Sequence, residues 1–170
     1  MKISTLLVTA TVGLALSTST VWAGRFFQQN SSGGYTGGHT SGFKGQNGGF
    51  ARGRGYTTDG QGNVSSTSGS AYKGENGQGY RNSKFTRNAD GSSNMQSTRN
   101  IQGNNGAGTN STSNAGRNSD GSFYGNKNTS ASNANGGTYN GSTSYDQNTG
   151  ITRTQTCTNN SGQTVDCPSY

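Results

Sequence analysis

Four Asn-Gly pairs punctuate this chain at near-constant intervals: Asn47-Gly48, Asn76-Gly77, Asn105-Gly106 and Asn135-Gly136, in steps of 29, 29 and 30 residues. A second series lies between them, Asp59-Gly60, Asp90-Gly91 and Asp120-Gly121, in steps of 31 and 30 residues. The two series interleave, so a reversal signal recurs at about half that interval. Asn and Asp tolerate positive φ, and Gly has no Cβ to clash there, which suits the central pair of a type I′ hairpin turn. A period near 30 residues is the mark of a repeat architecture, and one repeat reads as two strands and two turns. The fold class that follows is all-β: tandem repeats of long antiparallel hairpins, arranged as a meander or a β-solenoid, behind a flexible N-terminal part.

Helix is excluded almost everywhere, because Gly, Asn, Ser and Thr are poor helix formers and no apolar 3.6-residue period exists. The segments between turns are 49–58, 61–75, 78–89, 92–104, 107–119, 122–134 and 137–145. A run of about 12 residues makes a strand near 40 Å long, longer than usual. Bulges at Gly69, Gly116 and Gly125 are expected to break such runs. The cleanest strand is 151–158, which places Thr152, Thr154, Thr156 and Thr158 on one face. Elsewhere Tyr56, Val64, Tyr72, Tyr80, Phe85, Met95, Ile101, Phe123, Tyr124, Tyr139 and Tyr145 supply one or two large apolar groups per strand. That suits a thin sheet with an aromatic stripe. A two-layer sandwich needs continuous apolar alternation on its inner faces.

Four regions follow. Residues 1–23 read as a signal peptide: Lys2, an apolar run over 3–16, then Val21-Trp22-Ala23, with cleavage expected between Ala23 and Gly24. The apolar run is shorter than a membrane span, so no transmembrane segment is expected in the mature chain. Residues 24–49 form a Gly-rich leader, partly disordered; 50–150 carry the β-hairpin repeats; 151–170 form a terminal hairpin. Export implies an extracellular, cell-surface or periplasmic location and an oxidising environment. Cys157 and Cys167 are therefore expected to form a disulfide across a hairpin centred on Gly162, stapling that end against fraying. Pro168 ends the last strand.

Hydrophobic residues make up 24% of the chain and charged residues 11%, and 30 residues are Gly. Ordering a residue costs about 1–2 kcal/mol of backbone entropy, against about 25 cal/mol per Å² of apolar burial. On that balance a compact monomeric globule is not expected, and two outcomes remain: a chain largely disordered until it assembles, or an extended sheet. Order has to come from backbone ladders, a few aromatic contacts and partner molecules.

The chemistry-bearing residues are sparse. His39 is the single His and lies in a Gly-rich setting. Without a placed base the many hydroxyls stay weak nucleophiles, so no catalytic residue and no enzyme activity are expected. Two thiols need further ligands to hold a metal. One Asp per repeat is too few for a calcium-binding nonapeptide array, and Asp59, Asp90, Asp120 and Asp146 read as turn residues. No metal site and no cofactor are expected. The six glycosylation-type sequons, at Asn30, Asn63, Asn110, Asn128, Asn140 and Asn159, follow from the Asn- and Ser/Thr-rich composition.

Net charge is +7, or +6 once Lys2 leaves with the signal. A basic secreted chain can bind anionic polysaccharide, extracellular DNA or a cell surface. The segment Phe50-Ala51-Arg52-Gly53-Arg54-Gly55-Tyr56 resembles nucleic-acid-binding RGG segments, with Arg for phosphate and aromatics for stacking.

Tyr145-Asp146-Gln147-Asn148-Thr149-Gly150, followed by a Thr-rich strand and Asn160-Ser161-Gly162, resembles the Tyr-Asp turn units of secreted bacterial Gly/Asn-rich hairpin-repeat proteins, whose logic the YD/RHS-like repeats share. The likeness covers roughly the last 110 residues in rhythm, while the Tyr-Asp element itself occurs once; the other turns have Thr58-Asp59, Ala89-Asp90 and Ser119-Asp120. It implies a secreted or surface β-repeat protein and carries over no catalytic residue. The expected function is structural: self-association or adhesion in an extracellular fibre, a biofilm matrix or a coat, with the chain itself as first partner. The alternatives are a cationic Gly-rich antimicrobial protein and, third, an ice-binding protein built on the Thr face.

Overall fold

A computed structural model describes residues 20–167. The expected signal segment up to residue 19, and Pro168 with the two residues after it, lie outside the described residues. Eleven strands follow one another: β1 (Thr20–Gln29), β2 (Tyr35–Gly45), β3 (Gly48–Thr58), β4 (Val64–Gly74), β5 (Gly77–Arg87), β6 (Ser93–Gly103), β7 (Gly108–Arg117), β8 (Phe123–Ser132), β9 (Thr138–Asp146), β10 (Gly150–Thr158) and β11 (Thr164–Val165). They form one sheet in strict sequence order, every neighbouring pair antiparallel. Of the two arrangements open from sequence, the meander is the one present. Residues 24–49, read as a partly disordered leader, carry most of β1, all of β2 and the first residues of β3, in the same sheet. The expected cleavage point, Ala23–Gly24, falls inside β1.

The ladders run without a break, so the expected bulges are absent. Gly69 pairs with Gly53 on one side and Asn82 on the other, Gly116 with Asn94 and Tyr124, and Gly125 with Ala115 and Tyr145, each one to one. The strands stay near 11 residues because the turns at the two rims, and not internal glycines, set their length. Alternate turns lie on opposite rims. The Asp-Gly series lies on the first rim, after β3, β5 and β7; the Asn-Gly series lies on the second, after β2, β4, β6 and β8.

Among the described residues no hydrophobic core forms between layers, because they make one layer. Among the described residues the one buried hydrophobic side chain is Cys157, at 7% exposure. The glycines Gly37, Gly42 and Gly79 are buried as well, and each has an aromatic ring directly over it. Tyr56 covers Gly37, Trp22 covers Gly42 and Tyr72 covers Gly79, and in each case ring and glycine are direct cross-strand partners. A Cβ on Gly79 would stand 2.7 Å from Tyr72 Cε1 and 2.8 Å from the Asn100 carbonyl oxygen. Absence of a side chain there lets the ring lie flat on the sheet. Contact of ring with backbone is the substitute for a core.

Candidate interaction surfaces: two faces, two rims and two open ends

The turns are built differently from the type I′ pairs the dipeptides suggest. After β5 the Asn88 N–H donates to the Ser92 carbonyl at 2.9 Å and the Gly91 N–H to the Asn88 carbonyl at 3.0 Å. This is a three-residue loop closed by Asn88 and Ser92, with Gly91 at φ 84°, the left-handed position that such loops need. The same pattern closes Asn30 with Gly34, Asn118 with Ser122, Asn133 with Gly137 and Asn159 with Gln163. Asn47-Gly48 and Asn76-Gly77 differ again: Gln46-Asn47 and Glu75-Asn76 are the loops, while Gly48 and Gly77 already pair with Gly45 and Gly74.

The first loop residue's side chain does much of the closing. Asn133 Oδ1 accepts from Asn135 N and Gly137 N, both at 2.9 Å, and Asn159 Oδ1 accepts from Ser161 N and Gln163 N, both at 3.0 Å. Asp59 belongs to this class, accepting from Gln61 N at 2.8 Å and Asn63 N at 3.1 Å. Asp90 and Asp120 sit two places later in their loops and hold the amide and hydroxyl of Ser92 and Ser122. All three carboxyls are held below the usual carboxylate value, chiefly by side-chain hydrogen bonds from Asn63, Ser92 and Ser122 respectively. Turns on one rim also bond to each other. Asn30 Nδ2 donates to Thr58 O at 2.7 Å, Ala89 N to Asn63 Oδ1 at 2.9 Å, and Asn104 Nδ2 to Glu75 O.

Register sorts the strand residues onto two unlike faces, since opposed residues point the same way and successive residues alternate. All eight arginines fall on one face: Arg25, Arg52, Arg54, Arg81, Arg87, Arg99, Arg117 and Arg153. One row of this face crosses ten strands as Arg25, His39, Arg54, Ser68, Ser83, Ser97, Ser113, Lys127, Thr143 and Arg153. The next row includes Arg52, Ser70, Arg81 and Arg99. Two apolar rows flank this basic band. Toward the second rim run Phe43, Phe50, Tyr72, Gly79 and Ile101; toward the first, Tyr56, Ser66, Phe85, Met95 and Ala115. A shallow depression in the band is lined by His39, Arg52, Arg54, Arg81, Phe85 and Met95, among others.

The opposite face has little charge. Its basic groups are Lys44, Lys73 and Lys84, and its C-terminal half is a field of Asn, Ser and Thr. Here Thr152, Thr154, Thr156 and Thr158 stand beside Ser144, Ser142, Asn140 and Thr138. The regular Thr array is thus one strand wide, with a single Thr-Thr contact at 2.8 Å between Thr138 and Thr158.

At the C-terminal end Cys157 and Cys167 form a disulfide with Cα atoms 5.3 Å apart. They do not face each other directly: Cys157 pairs with Val165. The loop between Asn159 and Gln163 centres the hairpin on Ser161, with Gly162 as its left-handed residue, so the bridge runs diagonally. β11 covers just Cys157 and Thr158 of β10, and among the described residues nothing pairs with the outer edge of β10 over 150–156. At the other end no described strand pairs with the outer edge of β1.

Among the described residues no three His, Cys, Asp or Glu side chains converge as metal ligands. No helix there is long and apolar enough to cross a membrane, which says nothing of strands. His39, Cys157 and the turn acids lie in separate places: mid-face, sheet end and rims. The face-sorting of arginine escaped sequence reading. Its signal was nonetheless present, as Phe50, Arg52, Arg54 and Tyr56 at period two. No family model, no curated protein and no solved structure matches this chain.

Proposed function

We propose that this chain is a secreted structural protein that works by self-association, building an extracellular fibre, matrix or coat. The observation that carries this reading is the unprotected outer edge of β1. Natural sheets blunt such edges with proline, bulges, short strands or lysine. The part of β1 that remains after cleavage at Ala23 reads GRFFQQ and has no proline, bulge or lysine. It exposes Phe26 and Phe27 beside an outer edge that no described strand covers. Addition of β1 from one copy to the open part of β10 of another continues the meander, antiparallel and with like faces aligned. Cleavage after Ala23 would trim β1 to the six residues 24–29, which fit the seven unpaired residues 150–156 beside β11. Electron microscopy and light scattering of the processed, oxidised protein test this. Filaments or sheets that grow with concentration are expected; material that stays monomeric at high concentration refutes the reading.

A further inference from the structure

We propose that the arginine face binds a single strand of nucleic acid, laid across the β-strands with its phosphates on the central basic rows and its bases stacked on the flanking rings. This site is distinct from the sheet edges and does not depend on self-association.

Charge that served solubility alone would be spread over both faces. Here every arginine is on one face, while the acids lie in turns, at strand ends or beyond the last strand. The arrangement also carries a cost. Arg81 is paired directly with Arg99, and like charges opposite one another destabilise a sheet. An anion between them removes that cost. The guanidinium fork matches a phosphate with two parallel hydrogen bonds.

The rings favour a base-bearing polymer. Phe50, Arg52, Arg54 and Tyr56 alternate on one face of β3, so each ring stands about 7 Å from its arginine. Phe50 is 47% exposed and Phe85 38%. In a uronate polysaccharide the charge sits on the sugar ring itself. In a nucleic acid the planar group hangs one sugar away from the charge, as the rings here stand one step from the guanidinium rows. Every base has a face that stacks. The basic band crosses nine inter-strand gaps, about 43 Å at the usual spacing, with Arg25, Arg54, Lys127 and Arg153 in one row and Arg52, Arg81 and Arg99 in the next, so several nucleotides fit along it.

The test is fluorescence anisotropy of labelled oligothymidylate with the processed, oxidised protein across a salt series, circular dichroism verifying each variant's fold. Binding should weaken linearly in log–log form with salt. Arg52→Gln with Arg54→Gln should lower affinity about tenfold or more and reduce the salt slope by about 1.4, at about 0.7 per lost contact. Tyr56→Leu with Phe85→Leu should cost about fivefold or more at unchanged slope; Phe50→Leu replaces this pair if it fails to fold. Lys44→Gln with Lys73→Gln, equal in charge loss but on the other face, should leave affinity within about twofold of the parent. Absence of binding overturns the proposal. So does an equal loss from the lysine and arginine pairs. Aromatic variants without effect, or equal competition by polygalacturonate, would mark the face as a general polyanion binder and equally overturn it.

Discussion

Asp90 and Asp120 hold serine groups in loops one repeat apart, and their carboxyls, with that of Asp59, are more acidic folded than free. A depressed folded pKa adds stability above the ordinary value of 3.8 and loses it as pH falls through the folded value. Stability should therefore be flat from neutral pH to about 5 and fall below about 4, and Asp90→Asn with Asp120→Asn should flatten that fall in urea midpoints. Glycines divide into two kinds that the same experiment separates. Gly91 has open space around it at φ 84°, so Gly91→Ala should cost about 1–2 kcal/mol from backbone strain alone. Gly79→Ala must push the Tyr72 ring off the sheet, so it should cost as much and also raise the tyrosine's solvent accessibility, read by quenching. Which glycines turn and which lie under rings was half legible. Asn-Gly and Asp-Gly announce turns locally, whereas Gly79 meets Tyr72 through pairing across seven positions, which no dipeptide encodes.

At the scale of elements, the limits of β3 to β10 were readable to within about three residues from the turn spacing, because a hairpin meander has no long-range connection to shift them, whereas β1 and β2 fell in the segment read as a leader. The turn class was not. Asp59-Gly60 looks equivalent to Asp90-Gly91, yet Asp59 opens its loop where Asp90 sits inside its own. The distinction lies in which residues close the ladder. The disulfide spans a separation of 10 residues, so it should contribute about 2–3 kcal/mol. Since β10 is the one described strand that β11 touches, the loss on Cys157→Ser with Cys167→Ser should be local. Amide exchange should accelerate over 150–165 and stay unchanged in β4 to β7.

For the whole molecule, the proposed self-association makes the end strands the place to test. Phe27→Pro removes an N–H that points to the outer edge of β1, since the Asn30–Gly34 closing pair turns the Phe26 amide toward β2 and the Phe27 amide away from it, and should stop growth at that end while sparing the fold of β3 to β10. Light scattering would stay at the monomer level while the sheet signal persists. Assembly at the parental rate would mean that β1 is not the adding edge. A chain with one 30-residue repeat deleted in register should still fold and assemble, because each strand contacts its two neighbours alone.

The amino-acid order by itself determined that the chain is all-β, how often it reverses and which cysteines pair, because turn chemistry and alternation act over a few residues. Tertiary structure decided the single layer, the flat rings over glycine and the gathering of every arginine on one side. Those depend on register across the sheet: a slip of one residue in any strand would carry its arginines to the opposite face, and register is a property of paired strands rather than of any one segment.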